Sequence, residues 1–346
     1  MSYSRININN FDVLRVLFAF TVAIAHLIEL SQVKTFESYI KFFNTRLAID
    51  GFFVISGFLI AKSYENSKSL KSYILKRVKR IVPAYTVVVV FCALFFYVIS
   101  TNSFSDYFFN IQFWKYLLAN LTFQNYLEPC LPGVFENNLI CAVNGALWTI
   151  KVEEGFYLLL PLFYFLIKSK KVNINILYVL IYLSSIIYFN YFVSVDMYRI
   201  AKQLPGALAF FTVGIVLYKN FNFFIKWKHY LIIPCLLVFY FEQYIFSLHV
   251  FKPMAYGFMV FYLAYNFRWL NNVCKYGDIT YGVYIYHFPV VQVFVYFNLF
   301  NNYNPYMISA VLLLLVVLLA VFSWHYLELR FLSESRKERQ RQLLSG

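Results

Sequence analysis

Charge is what this sequence has least of. Only 13% of its 346 residues are Asp, Glu, Lys or Arg, while 61% are hydrophobic. A soluble globular chain carries about 25% charged and about 45–50% apolar residues, so a soluble globule is excluded. Internal repeats, low-complexity linkers and metal-type Cys/His spacings are lacking too, so no metal is expected. Cysteine is scarce, at five residues. Cys92, Cys235 and Cys274 fall in or near apolar runs and read as ordinary small apolar residues. Acidic residues number 16 against 30 basic ones, a net charge of +14. In a membrane protein such a surplus collects on the cytoplasmic side and calls for no nucleic acid.

What the sequence does have is long apolar runs. A helix needs about 20 residues to cross the bilayer core. Ten stretches qualify: 11–30, 47–62, 81–100, 147–167, 174–193, 203–219, 230–248, 253–270, 277–299 and 306–328. The expected fold is an all-α, polytopic membrane bundle of about ten spans. Residues 1–332 would form one membrane domain and 333–346 a basic cytoplasmic tail. The first run carries Asp12 and Arg15 and lacks a small-residue cleavage site, so it reads as a retained span rather than a signal peptide. With the N-terminus inside, twenty-one basic residues fall on the inner side and eight outside. The opposite orientation inverts that bias, so both termini are expected in the cytoplasm. The segment "FWKYLLANLTFQNYL" (113–127) is apolar but short, and reads as re-entrant or interfacial.

Several polar residues interrupt the apolar runs, and such residues are costly in lipid and default candidates for function. The first span carries Asp12, Arg15 and His26. Eleven residues is about three helical turns, so Arg15 and His26 share a face, roughly 16 Å apart along the axis. Arg15 can snorkel to the inner surface and pair with Asp12. His26 lies too deep for that, and imidazole suits proton transfer near neutral pH. Ser56-Gly57 in the second span is small enough for close helix packing or for passage of a ligand, packing being the commoner use. Arg77 and Arg80, three apart, face one way on a helix. They obey the positive-inside bias and also have the geometry to grip phosphate. In "GALWTIKVEEGFYLLLPLF" (145–163), Trp148 suits the outer interface, and Glu153 and Glu154 need a partner or a proton. Lys151 is the structural partner for one of them. Tyr281, Tyr284 and His287 recur every three residues and curve along one side of the ninth span. Glu328 and Arg330 read as a surface ion pair at the inner end of the last.

Together these stretches resemble the acyltransferase type 3 family of membrane O-acyltransferases. The matching pieces, in order, are Asp12-x-x-Arg15 with His26, "FFVISGFLI" (52–60), Arg77-x-x-Arg80, "LWTIKVEEGFYLLLP" (147–161) and "YGVYIYHFPV" (281–290). They run through nearly the whole chain. Thr149 stands where the family often has serine, and "ELRF" replaces the commoner Glu-Arg-Pro-Phe, which leaves a family role for Glu328 open. No extracytoplasmic hydrolase-like domain is expected.

The resemblance implies transfer of an acyl group, usually acetyl from cytoplasmic acetyl-CoA, to a hydroxyl of a carbohydrate at or beyond the outer face. It implies Arg77, Arg80 and Arg15 at the CoA phosphates, with the thioester passing Ser56 and Gly57. His26 would be the general base and Glu153 its orienting carboxylate. Asp12, Trp148, Tyr281, Tyr284, His287 and Glu328 would bind substrate or support the site. The expected partners are acyl-CoA, a carbohydrate or lipid-linked glycan such as lipopolysaccharide O-antigen, capsule or exopolysaccharide, and membrane lipid. The expected location is a bacterial cytoplasmic (inner) membrane. A proton-coupled exporter or flippase of a lipid-linked sugar would also carry buried His, Glu and Arg. It does not explain an arginine pair at the mouth of a span.

The segment Glu128 to Asn144 lies on the oxidising side in this topology and holds Cys130 and Cys141. They read either as free thiols or as a disulfide, which would close a loop of about twelve residues and stabilise it by roughly 3 kcal/mol in the chain-entropy model. Bonded and outside, both should resist a membrane-impermeant thiol reagent until a reductant is added, and then label on intact cells. Labelling without reductant would rule out the bond. Labelling that requires only permeabilisation would invert the local topology.

Overall fold

The computed structural model describes residues 9–170, 173–245, 249–267 and 277–332. The expectations for Arg5, Lys171, Arg268, Cys274, Lys275 and the tail at 333–346 lie outside those residues. The fold is all-α, with no strand among the described residues. Among the same residues, ten helices are fifteen residues or longer: α1 Phe11–Ser31, α2 Thr45–Glu65, α3 Leu70–Phe95, α4 Trp148–Lys170 and α5 Ile174–Ser194, then α6 Leu204–Lys219, α7 Phe221–Tyr244, α8 Lys252–Asn266, α9 Thr280–Tyr296 and α10 Pro305–Ser323. Each overlaps one of the ten apolar stretches. Among the described residues, seven helical stretches are long and apolar enough to cross a membrane.

Two helices begin well before their apolar runs. α3 starts at Leu70 rather than 81, so the basic run through Arg80 is helical. Lysine and arginine are good helix formers, and their stems lie along apolar surface while their charged ends reach polar partners. α7 starts at Phe221 rather than 230. Its Lys228 donates to the Tyr265 carbonyl at 3.2 Å and to Asn266 Oδ1 at 3.4 Å, at the C-terminal end of α8. A cation there meets carbonyls that no helical N–H can satisfy. The short apolar segment folds as a helix of eleven residues, Ile111–Leu121. At 1.5 Å per residue it reaches about 16 Å, half a bilayer core of about 30 Å. It buries Phe113, Tyr116 and Asn120 and exposes Ile111, Trp114 and Leu118.

The chain forms two compact units. The first comprises residues 1–15, 46–74 and 152–273. Within it α6 packs on α5 and α8, and α7 lies along α8. α2 and α6 cross at glycines: a Cβ built on Gly57 would fall on the Phe211 carbonyl, and one on Gly214 on the Val54 carbonyl. Without side chains the two backbones come together, as small residues allow between membrane helices. Gly57 is therefore a packing residue where it sits. Aromatic edges fill the space beside this crossing, with Phe11, Phe58, Phe261 and Tyr265 in mutual contact.

The second unit comprises residues 16–45, 75–151 and 274–346. α9 and α10 pack together, with Gly282 against Ala320. The loop that precedes α4 carries a Cys130–Cys141 disulfide with Cα atoms 5.4 Å apart. α9 holds that loop by side-chain amides. Gln292 Nε2 donates to the carbonyls of Ile140 and Ala142, both at 2.7 Å. Asn138 Nδ2 donates to Gln292 Oε1 at 2.9 Å, and Asn144 Nδ2 to the Ile285 carbonyl at 2.8 Å. Gln292 is fully buried, so each of these bonds replaces lost water. At Gly133 the backbone is left-handed, φ +67°, and Thr101 N–H donates to its carbonyl at 3.0 Å.

Gly57→Ala should lower stability by about 1–3 kcal/mol, since the new methyl meets rigid backbone. Gly155→Ala serves as the control, because its new methyl meets only the flexible end of Leu204. Thermal unfolding in detergent should show a clear loss for the first and near wild-type behaviour for the second.

Candidate functional site

α1 carries Asp12, Arg15 and His26. Asp12 and Arg15 pair at 3.6 Å, as expected from their spacing, with the Asp12 side chain 62% exposed. His26 has a stronger partner. Its Nδ1 lies 2.9 Å from Nε2 of His287 on α9. The two rings are within 11° of parallel, with centres 5.2 Å apart. That separation is the nitrogen gap plus the two ring radii, so the nitrogens lie on the line between the centres. The imidazoles meet edge to edge in one plane. His287 Nδ1 lies 3.1 Å from the carbonyl of Val283, one turn back on its own helix. His287 is wholly buried, and Phe288 sets its edge against the His26 ring. Tyr284 OH and Thr149 Oγ1 lie 2.6 Å apart beneath this pair on α9 and α4.

Glu153, the carboxylate expected to orient His26, lies on α4 within the first unit. There it accepts from Tyr157 OH at 2.6 Å and from Ser56 Oγ at 3.3 Å. Ser56 thus holds a carboxylate. Lys151 sits 4.0 Å over the Tyr126 ring. Trp148 opens α4 and is half-buried.

The arginine pair divides. Arg80 Nη1 donates to Glu328 Oε2 at 2.8 Å and Arg80 Nη2 to Asp278 Oδ2 at 2.7 Å. The Arg80 side chain is 10% exposed, and its guanidinium lies 5.7 and 5.6 Å from the centres of the Tyr281 and Trp324 rings. Tyr281 OH donates to the Ile81 carbonyl at 3.0 Å, which fixes that ring. Both terminal nitrogens of Arg80 are thus engaged by acids, while Arg77 lies half-buried one turn earlier. Glu328 is 2% exposed, which overturns its reading as a surface partner of Arg330. The cause is local. After α10 the chain makes a π-helical turn, Trp324–Glu328, whose extra residue per turn rotates the helix face on which Glu328 sits.

The family model of the acyltransferase domain, Acyl_transf_3, matches residues 8–325. The chain belongs to that family. It is similar to an O-acetyl transferase of Shigella phage Sf6, 29% identical over 342 residues, which are 94% of this chain and 97% of that protein. It is 30% identical over 165 residues to nodulation protein 10 of Rhizobium leguminosarum bv. viciae, 44% of this chain and 43% of that one. It is 29% identical over 174 residues to the peptidoglycan O-acetyltransferase OatA of Listeria monocytogenes, 46% of this chain and 25% of that one. No solved structure matches it significantly. The chain is an integral-membrane acyltransferase.

Sequence reading missed two parts of this acyltransferase. Asp278 carries half of the Arg80 ion pairs and lies three residues before Tyr281; its charge at the start of the 277–299 stretch was the available signal. The second is a buried ionic group in the first unit. Arg46 and Asp50 pair at 3.0 Å on the first turns of α2, with Asp50 wholly buried and Lys252 7% exposed. Opposite charges four apart at a helix start were the available signal. Glu242 closes the group by accepting from the backbone N–H groups of Phe251 and Lys252 at 2.8 and 2.6 Å. Burial and the adjacent cations Lys252 and Arg46 push His249, in the loop before α8, down to about 4, so that imidazole is neutral.

Arg80→Ala would strand two carboxylates in a dry site and should cost about 3–5 kcal/mol of stability. Adding Asp278→Asn and Glu328→Gln removes those charges and should recover much of the loss. Thermal unfolding of the single and triple variants checks this. A pure phosphate-binding role for Arg80 would instead leave stability unchanged and lower only the affinity for acyl donor.

Proposed function

We propose that this acyltransferase moves an acetyl group from acetyl-CoA on the cytoplasmic side to a hydroxyl of a cell-surface or lipid-linked carbohydrate, such as O-antigen, capsule or exopolysaccharide. The observation that carries this reading is His26, an imidazole on an apolar helix whose Nδ1 is hydrogen-bonded to a second, fully buried imidazole. The near full-length relative named O-acetyl transferase supports the acetyl group and the oxygen acceptor.

An alcohol is a weak nucleophile until its proton has somewhere to go. In the proposed step an unprotonated nitrogen of His26 takes the hydroxyl proton as the oxygen attacks the thioester carbonyl. The C–O bond forms, the C–S bond breaks, and coenzyme A leaves as a thiolate that takes up a proton. This account describes direct transfer; in a path through a transient acyl group on His26, a C–N bond to His26 would form as the C–S bond breaks, and would break in turn as the hydroxyl oxygen attacks and its proton passes to the released imidazole. The donor end of the site fits the first turns of α3. Lys79 is exposed there and Lys76 and Arg77 are half-buried, which suits phosphates approached from water. Arg80, clasped by two acids, would shape that mouth rather than grip the donor. The surplus of basic residues assigned to the inner side supports a cytoplasmic donor.

His26→Ala should abolish transfer, by at least the factor of about 10²–10⁴ that general-base catalysis supplies, while the protein still reaches the membrane. Glycan mass spectrometry of a deletion strain complemented with each form reads this as loss of one acetyl group. Unchanged acetylation in the variant would sink the role of His26. Failure of the purified protein to bind radiolabelled acetyl-CoA would favour export of a lipid-linked sugar.

A further inference from the structure

We infer that His287 is the positioning residue that fixes the tautomer of His26 and makes Nε2 its basic nitrogen. This rests on the reading of His26 as general base. The carbonyl oxygen of Val283 only accepts hydrogen bonds, so the His287 Nδ1 facing it at 3.1 Å carries the proton. His287 is wholly buried, where an uncompensated charge is costly, and so it is neutral with a lone pair on Nε2. That lone pair points at His26 Nδ1 across 2.9 Å. A hydrogen bond at that distance needs one proton between the two nitrogens, and only His26 can supply it. In neutral His26 the lone pair therefore resides on Nε2, the nitrogen turned away from His287.

The arrangement serves both ends of the proton transfer. Before it, His287 selects the tautomer with a basic Nε2. Afterwards His26 holds protons on both nitrogens, and the His287 lone pair stabilises the imidazolium through the same bond. A carboxylate does this for histidine in many hydrolases. Here a neutral imidazole does so without a second charge in an apolar bundle. The His287 ring is held by its backbone bond to Val283 and by α9, which the Asn144 amide and the Gly282–Ala320 crossing fix in place.

Nitrogen NMR of the protein with ring-labelled histidine, in lipid nanodiscs, tests this directly. With only five histidines, the signals are assignable by substitution. In the wild type His26 should show a protonated Nδ1 and an unprotonated Nε2. In His287→Leu the proton should move to Nε2. Turnover should fall by about 10² or more, as when an orienting partner of a catalytic or metal-bound histidine is lost, with KM for acetyl-CoA little changed. His287→Gln, whose amide oxygen can accept the Nδ1 proton, should recover part of that loss. An unprotonated Nδ1 on His26 in the wild type would overturn the inference without any variant, so it stays testable even if His287→Leu fails to fold. Wild-type turnover in His287→Leu with His26→Ala inactive overturns the positioning role alone. Wild-type turnover in His26→Ala overturns the general-base reading, and the positioning role of His287 with it.

Discussion

A guanidinium shut away from water must be matched by acids, and in this protein one such match organises an entire end of the second unit. Arg80 on α3 draws in Asp278, just before α9, and Glu328, on the π turn after α10. Three segments far apart in sequence are tied at one cation with two anions. In a low-dielectric interior none of the three groups can be left alone, since removing one partner exposes the others to the full cost of desolvation. The aromatic walls, Tyr281 and Trp324, exclude water and add attraction to the ring faces. The π turn belongs to the same arrangement, for it is the part of the chain that carries Glu328.

The helices that meet this demand pack by two means. At glycine and alanine crossings, Gly57 with Gly214 and Gly282 with Ala320, backbones touch because no side chain separates them. Van der Waals contact between small residues drives association where lipid removes most of the hydrophobic gain. Elsewhere buried amides do the joining. Gln292 and Asn144 reach loop and helix carbonyls that would otherwise be unsatisfied, and so the disulfide-closed loop is fastened to α9, the helix that carries His287. The loop before α4 and the imidazole pair are thus parts of one rigid neighbourhood.

The same rule shapes the chemistry. Polar groups on membrane helices are satisfied in pairs, and a pair of imidazoles differs from an imidazole with a carboxylate in one respect that matters here. It stays neutral at rest and becomes charged only when a proton is taken up. That suits the proposed role of His26 as a base that waits in an apolar bundle and acts on an uncharged hydroxyl. Glu153, held by Ser56 and Tyr157, shows the other solution, a carboxylate spread over two hydroxyl donors.

The all-α class, the ten long helices among the described residues and the shortness of the 113–127 segment are legible in the sequence, because apolar length and charge placement are local properties of the chain. The helix starts at Leu70 and Phe221 are not, because basic residues there hide helical turns whose partners lie elsewhere. Partnerships between segments far apart in the chain are not legible. Nothing along the chain marks His287, 261 positions away, as a partner of His26, or Glu328, 248 positions away, as a partner of Arg80. The sequence suggests the surface for Glu328, which is buried. A sequence records that a polar group has entered an apolar helix and must be satisfied. Which group satisfies it depends on the angle and depth at which helices cross, and that is decided only when small-residue contacts, one π turn and the packing of α9 against α10 bring distant side chains within hydrogen-bond reach.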